Sequence, residues 1–189
     1  MERDGWISLA RWVRRRPDVE PGGQAFAYRG AVLPLMLVFT GVSALEIVAL
    51  DLIVPWGSLT WLRIAVAAVG VWGLTFALGM LAGVTVHPHV VGEDGLRLRS
   101  GRAVDVVVPW TAIERARAAR RTRDGAAVQV EGGVLHLPMA SQTTAEITLR
   151  EPVEVDLPRQ GRVAVRAVHL HADDAAGLVT TLRLRSTAA

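Results

Sequence analysis

From Ile64 to Val86 the chain carries no charged residue. A helix needs about 20 apolar residues to cross the hydrocarbon layer of a bilayer. A helix buried in a soluble core is usually shorter and keeps a polar face, which this run lacks. The run is therefore expected to span a membrane. A second apolar run, Leu33 to Val54, precedes it and is interrupted only by Glu46 and Asp51. A carboxylate at the bilayer centre costs roughly 2.5 to 3.5 kcal/mol on insertion scales, which the surrounding Leu, Val, Ile and Met offset. Between the runs lies Pro55-Trp56-Gly57-Ser58-Leu59-Thr60-Trp61, whose two tryptophans suit the headgroup level. Residues 30–86 thus read as a membrane α hairpin of two transmembrane helices.

Arginine sets the orientation. Arg11, Arg14, Arg15 and Arg16 precede the first run, Arg97, Arg99 and Arg102 follow the second, and Arg63 stands alone beside the loop. The positive-inside bias places both termini in the cytoplasm, as expected of a multi-pass protein of the cytoplasmic membrane. The first apolar run starts too late and continues too long for a cleaved secretory signal. All 21 basic residues are arginine, lysine being absent, so the pI of about 10.8 reflects arginine's own pKa more than charge excess. From His87 onward 14 arginines face 12 carboxylates. That balance leaves no basic stripe of the kind a nucleic acid needs. Absence of cysteine excludes disulfides, thiolate nucleophiles and cysteine-ligated zinc.

Residues 1–29 form a basic N-terminal segment. Within it, Trp6, Leu9 and Val13 share a helical face and suit either a short interfacial helix or a frayed terminus that only sets topology. Pro21-Gly22-Gly23 reads as a flexible link to the first span. After Val86 the pattern changes to short alternating strands divided by turns such as Gly92-Glu93-Asp94-Gly95, Arg123-Asp124-Gly125 and Glu131-Gly132-Gly133. Strands are expected near Leu96–Arg99, 103–108, 113–119, 126–131, 134–137, 146–150, 153–157 and 163–171. An amphipathic helix follows, with Asp173 as its cap and Ala175, Leu178, Val179 and Leu182 as its apolar face. Residues 87–189 therefore read as an all-β sandwich or partly open barrel plugged by one C-terminal helix.

Two stretches carry a resemblance: Asp94-Gly95-Leu96-Arg97-Leu98-Arg99 and Val108-Pro109-Trp110-Thr111-Ala112-Ile113-Glu114. Together with the strand-and-helix pattern they resemble the pleckstrin-homology (PH)-like domains tethered behind two transmembrane helices in small bacterial membrane proteins. The resemblance implies an antiparallel PH-like fold and a binding role, and it supplies no catalytic residue. It also implies a site: such domains present basic residues on a hairpin to anionic headgroups. Arg115, Arg117, Arg120, Arg121 and Arg123 fall across an expected hairpin and are candidates for contact with anionic lipid or a protein partner, the competing reading being solvated hairpin-tip charge.

Inside the first span Thr40, Ser43 and Glu46 share a face, and on the second Arg63, Ala67, Gly70, Leu74 and Ala77 do. Depth counting at about 1.5 Å per residue sets Asp51 level with Arg63 and Glu46 one turn deeper. Asp51–Arg63 is the preferred intramembrane ion pair. Two spans alone make no conduction pathway, so Glu46 is assigned a structural role, pairing with Arg63 or across a homo-oligomer. Gly79 and Gly83 form a GxxxG. His87 with His89, and His169 with His171, are spaced to point to one side of a strand, yet His136 has no evident partner and no metal site is assigned. With no phosphate loop, no nucleophile elbow and no carboxylate pair placed by motif, the chain is read as neither an enzyme nor a cofactor binder.

Overall fold

The computed structural model describes residues 18–53, 57, 60–101, 104–157 and 160–186, without the side chains of Leu50 and Asp51. The expected interfacial helix over residues 5–16, Trp56 and the Asp51–Arg63 pair lie outside the described residues. The chain divides into two compact units. Residues 32–83 belong to one, and residues 17–31 join 84–189 in the other.

The first unit is helical. Helix α1 covers Leu33–Ile53 and helix α2 covers Thr60–Val86. Just before α2 the Thr60 hydroxyl donates to the Gly57 carbonyl at 2.8 Å, closing the turn. The two helices meet where Gly70 faces Ile47: a Cβ on Gly70 would lie 2.6 Å from Ile47 Cγ1. Missing side-chain bulk on α2 is what allows that approach. Of the two expected spans, only α2 is long and apolar enough among the described residues to cross a membrane by length and composition. The apolar stretch of α1, Leu33–Ala49, is shorter.

The second unit is β-rich, and it begins before the helices. Strand β1, Gln24–Phe26, stands where a flexible link was expected, and it pairs antiparallel with β2, His89–Val91, in the register Gln24↔Val91 and Phe26↔His89. Strands β3, Gly95–Ser100, and β4, Val104–Pro109, complete a sheet of order β1-β2-β3-β4. Polar bonds stitch the segment down. Arg99 donates to the Asp18 carbonyl and pairs with its carboxylate, Arg97 reaches Glu20, the Tyr28 hydroxyl accepts from the Gly101 N–H at 2.7 Å, and the Asp173 carboxylate accepts from the Gly30 N–H at 2.9 Å. Arg99, expected on the open face of a half-buried strand, is consequently 2% exposed.

A single turn of 3-10 helix, Trp110–Ala112, leads from β4 to β5, Ile113–Thr122. The second sheet has the order β5-β8-β9-β7-β6, with β6 at Gln129–Glu131, β7 at Val134–Leu137, β8 at Gln142–Leu157 and β9 at Gly161–Leu170. Three expectations change here. The segments 146–150 and 153–157 are one long strand whose ladder to β9 slips between Thr148 and Val153, a bulge that bends the strand without ending it. Strand β5 pairs with β8 and not with β6. And β7 runs parallel to β9, so the unit is not the purely antiparallel set that the resemblance implies.

Leu96, Leu98 and Val108 of one sheet and Leu135, Ile147, Val168 and Leu170 of the other belong to one core with Leu178 and Leu182 of helix α3, Ala175–Ser186. Each such buried leucine contributes about 2 kcal/mol. The apolar face of α3 is the expected one, but its cap is not Asp173. Asp174 accepts from the Gly177 N–H at 2.8 Å, the geometry of an N-cap to the third helical amide. The two stretches carrying the resemblance touch each other, Gly95 lying against the Val108 carbonyl at φ +153°, and just beside them the Trp110 indole donates to the Glu93 carbonyl at 2.8 Å. A Cβ at Gly95 would overlap that oxygen, so Gly95→Ala is expected to destabilise the β unit by about 2 kcal/mol or more. Thermal unfolding of the full chain in detergent measures it; an unchanged midpoint would contradict this packing.

Candidate functional site: a polar row across the five-stranded sheet

The arginine-rich stretch lies along one edge strand. Arg115, Arg117, Arg120 and Arg121 belong to β5, and Arg123 follows it. The hairpin expected to present them is absent, because β8, thirty residues on in the chain, pairs with β5 in its place. Arg117 and Arg121 both bind the Glu146 carboxylate, Arg117 Nε at 2.6 Å, and Arg123 pairs with Glu131. Arg115 and Arg120 are exposed and make no ion pair among the described residues. The other edge of β5 is closed in part by α3, whose Arg183 donates two hydrogen bonds to the Ala116 carbonyl at 3.2 and 3.0 Å.

Register explains why Glu146 sits where it does. Arg117 is the cross-strand neighbour of Glu146, Glu146 of His169, His169 of His136 and His136 of Gln129. Cross-strand neighbours share a face. One polar row therefore crosses all five strands. The next residue of each, Ala116, Ile147, Val168, Leu135 and Val130, faces the core side. Glu146 is 5% exposed under its two arginines. Burial alone would raise its carboxyl; the hydrogen bonds from Arg121 and Arg117 outweigh that and hold it below the ordinary carboxylate range. An ionised carboxylate with both oxygens occupied has no room to act as a base.

The two histidine pairs singled out by their spacing resolve into different roles. His136 and His169 meet edge to face with ring centroids 4.9 Å apart, which gives His136 the partner its sequence context hid. Burial, then the charge of Arg123, pushes His136 down to about 4, and burial also lowers His169. His89 lies in the core against Tyr28, ring centroids 4.8 Å apart. Its Nδ1 accepts the Arg99 N–H at 3.1 Å and its Nε2 faces the His171 carbonyl at 3.1 Å. Only the neutral ring with its proton on Nε2 satisfies both. His171 stands 3.5 Å from Asp173. Among the described residues no three His, Asp or Glu side chains are arranged to hold a metal ion.

In the helical unit Glu46 is exposed, and Ile47, one residue on, faces α2 at Gly70. The face Thr40–Ser43–Glu46 is thus rotated from its expected direction: Thr40 Oγ1 is buried, while Glu46 is exposed and has no hydrogen bond or ion pair among the described residues. Arg63 is buried. Gly79 and Gly83 have nothing within 4 Å of where a Cβ would stand.

No protein-family model, no curated protein and no solved structure matches this chain.

Sequence reasoning missed Glu146 and the pairing of His136. The alternation Thr144, Glu146, Thr148 marks an outward face, but the arginines that cover it arrive through a ladder that skips the β6–β7 hairpin. Burial, the largest cause, pushes His89 to about 4 from the 6.5 of an unfolded histidine. Between those values the unfolded chain binds the extra proton, so stability is full above pH 6.5 and falls as the pH drops toward 4. Lowering the pH from 7 to 5 is expected to remove about 2 kcal/mol through His89 alone. Thermal midpoints of the full chain at the two pH values test this. His89→Gln, less stable at pH 7, is expected to flatten the slope, and a slope unchanged by that substitution would contradict it.

Proposed function

We propose that this chain is a protein of the bacterial cytoplasmic membrane in which a two-helix anchor holds a cytoplasmic PH-like module that binds a protein partner. The observation that carries the reading is the pairing of β1 with β2. Strand β1 precedes α1 and β2 follows α2. A chain that leaves a sheet and returns to it crosses an intervening bilayer an even number of times. Since α2 is long enough to cross, α1 is the second crossing, and its 21 residues extend about 32 Å, close to the roughly 30 Å of hydrocarbon. The soluble alternative needs these helices in a core. Only 11% of the most apolar window of α2 is buried, and Leu35, Leu52, Ile53, Ile64 and Trp72 are all exposed.

Magnitudes favour a protein partner over the leaflet. An arginine near an anionic surface contributes about 1 kcal/mol, and Arg117, Arg121 and Arg123 already pair with Glu146 and Glu131. Arg115 and Arg120 together would supply about 2 kcal/mol, a weak lipid site but a sufficient marker for an acidic patch on a docking protein. A second reading, a structural subunit that assembles through its helices, is favoured by the exposed Glu46 carboxylate.

Because the chain has no cysteine, single substitutions report topology directly. A membrane-impermeant maleimide is expected to label Ser58→Cys in intact cells and Ser100→Cys only after permeabilisation, with both variants resisting alkaline extraction. Equal labelling of the two from outside, or release by alkali, would overturn the reading.

A further inference from the structure

The geometry points to a homodimer interface along α1, centred on Glu46 and formed with a second copy of this chain; the inference rests on the membrane reading above. Glu46 lies in the C-terminal half of a 21-residue apolar helix, is exposed, and has no hydrogen bond or ion pair among the described residues. Ionisable groups within membrane helices almost always face a protein partner, because an unsatisfied one in hydrocarbon costs several kcal/mol. The helical hairpin does not supply that partner: the face α1 turns to α2 is the one bearing Ile47.

Spacing supplies the second argument. Phe39, Val42, Glu46, Ala49 and Ile53 follow the alternating three- and four-residue steps of a coiled-coil seam, with Phe39, Glu46 and Ile53 one heptad apart. At 100° per residue Phe39, Val42 and Ile53 all lie within about 40° of Glu46. They are 61%, 49% and 75% exposed. A single polar residue at a central position of an apolar seam is the device that sets register and partner number in such pairs.

The occupant follows from depth. Two copies inserted with the same orientation are related by a two-fold axis along the membrane normal, so each residue of the seam meets its own counterpart at the same depth. Carboxyl groups are self-complementary, one donating its O–H and the other accepting. Small Ser43 and Ala49 beside Glu46 let the backbones come close enough for those side chains to meet.

Oxidative crosslinking of single-cysteine variants of the full chain in native membranes tests this. Phe39→Cys, Val42→Cys and Ile53→Cys are expected to give a species of twice the chain mass. Leu37→Cys and Val48→Cys, exposed on the opposite side of α1, are not. Adding Glu46→Leu is expected to reduce the crosslinked fraction roughly fivefold, the scale of one interhelical hydrogen bond in lipid, whereas Glu46→Gln, which keeps a donor and an acceptor, retains it. Crosslinking at all five positions alike, at none, to a species of another mass, or unaffected by Glu46→Leu would overturn the interface. Alkaline extraction of the same membranes separates the two failures: resistant but uncrosslinked protein sinks the seam alone, and extracted protein sinks the membrane reading with it.

Discussion

Antiparallel pairing of three residues on either side of a helical hairpin organises this protein. Gln24–Phe26 lies against His89–Val91, and a three-residue ladder is too small to persist unaided. It is held by what surrounds it. Asp18 and Glu20 neutralise Arg99 and Arg97 on one face of the sheet, Tyr28 closes over His89, and Asp173 at the foot of the last helix takes the Gly30 amide. A side chain 143 positions away from the backbone amide it binds thus helps fasten the same short segment. The helices become an insertion between adjacent strands of one sheet, not a leader placed before a domain.

That arrangement bears directly on the proposed anchor. Taken alone, α1 is a poor candidate: its apolar stretch among the described residues, Leu33–Ala49, carries Glu46 and is shorter than α2. Taken with the strands at either end of the hairpin, α1 has to match whatever α2 does, because both ends of the hairpin belong to one sheet. On the membrane reading proposed above, that parity constraint is stronger than composition, and it makes the carboxylate at Glu46 a feature to be explained by pairing.

Much of the architecture was legible in the residues. The charge-free run after Arg63 marks α2, the spacing of Leu178, Val179 and Leu182 marks α3, and the glycines at 95 and 132–133 mark the turns that the structure contains. What was hidden involves partners distant in sequence. A strand of three residues following Pro21-Gly22-Gly23 has no periodicity to read, so β1 looked like a linker. The slip in β8 between Thr148 and Val153 looked like a turn, since a bulge and a turn both break alternation. Strand β5 looked like half of a hairpin, the usual fate of strands adjacent in sequence. With that mispairing went the expected hairpin: Arg117 and Arg121 of the arginine-rich stretch cover Glu146, and the polar row Arg117–Glu146–His169–His136–Gln129 exists only once all five registers are known.

The account turns on β1 meeting β2, and a pair of cysteines in this cysteine-free chain measures that contact directly. Ala25 and Val90 are cross-strand partners, and Cα atoms facing across an antiparallel ladder stand about 4.5 to 5.5 Å apart, inside the range a disulfide bridges. The Ala25→Cys, Val90→Cys double variant, oxidised in native membranes, is predicted to close an intrachain bridge around the whole hairpin and to migrate as a compact monomer until reduced. A double variant that stays fully reduced, or that crosslinks only between chains, would contradict the insertion of the helical hairpin into the sheet.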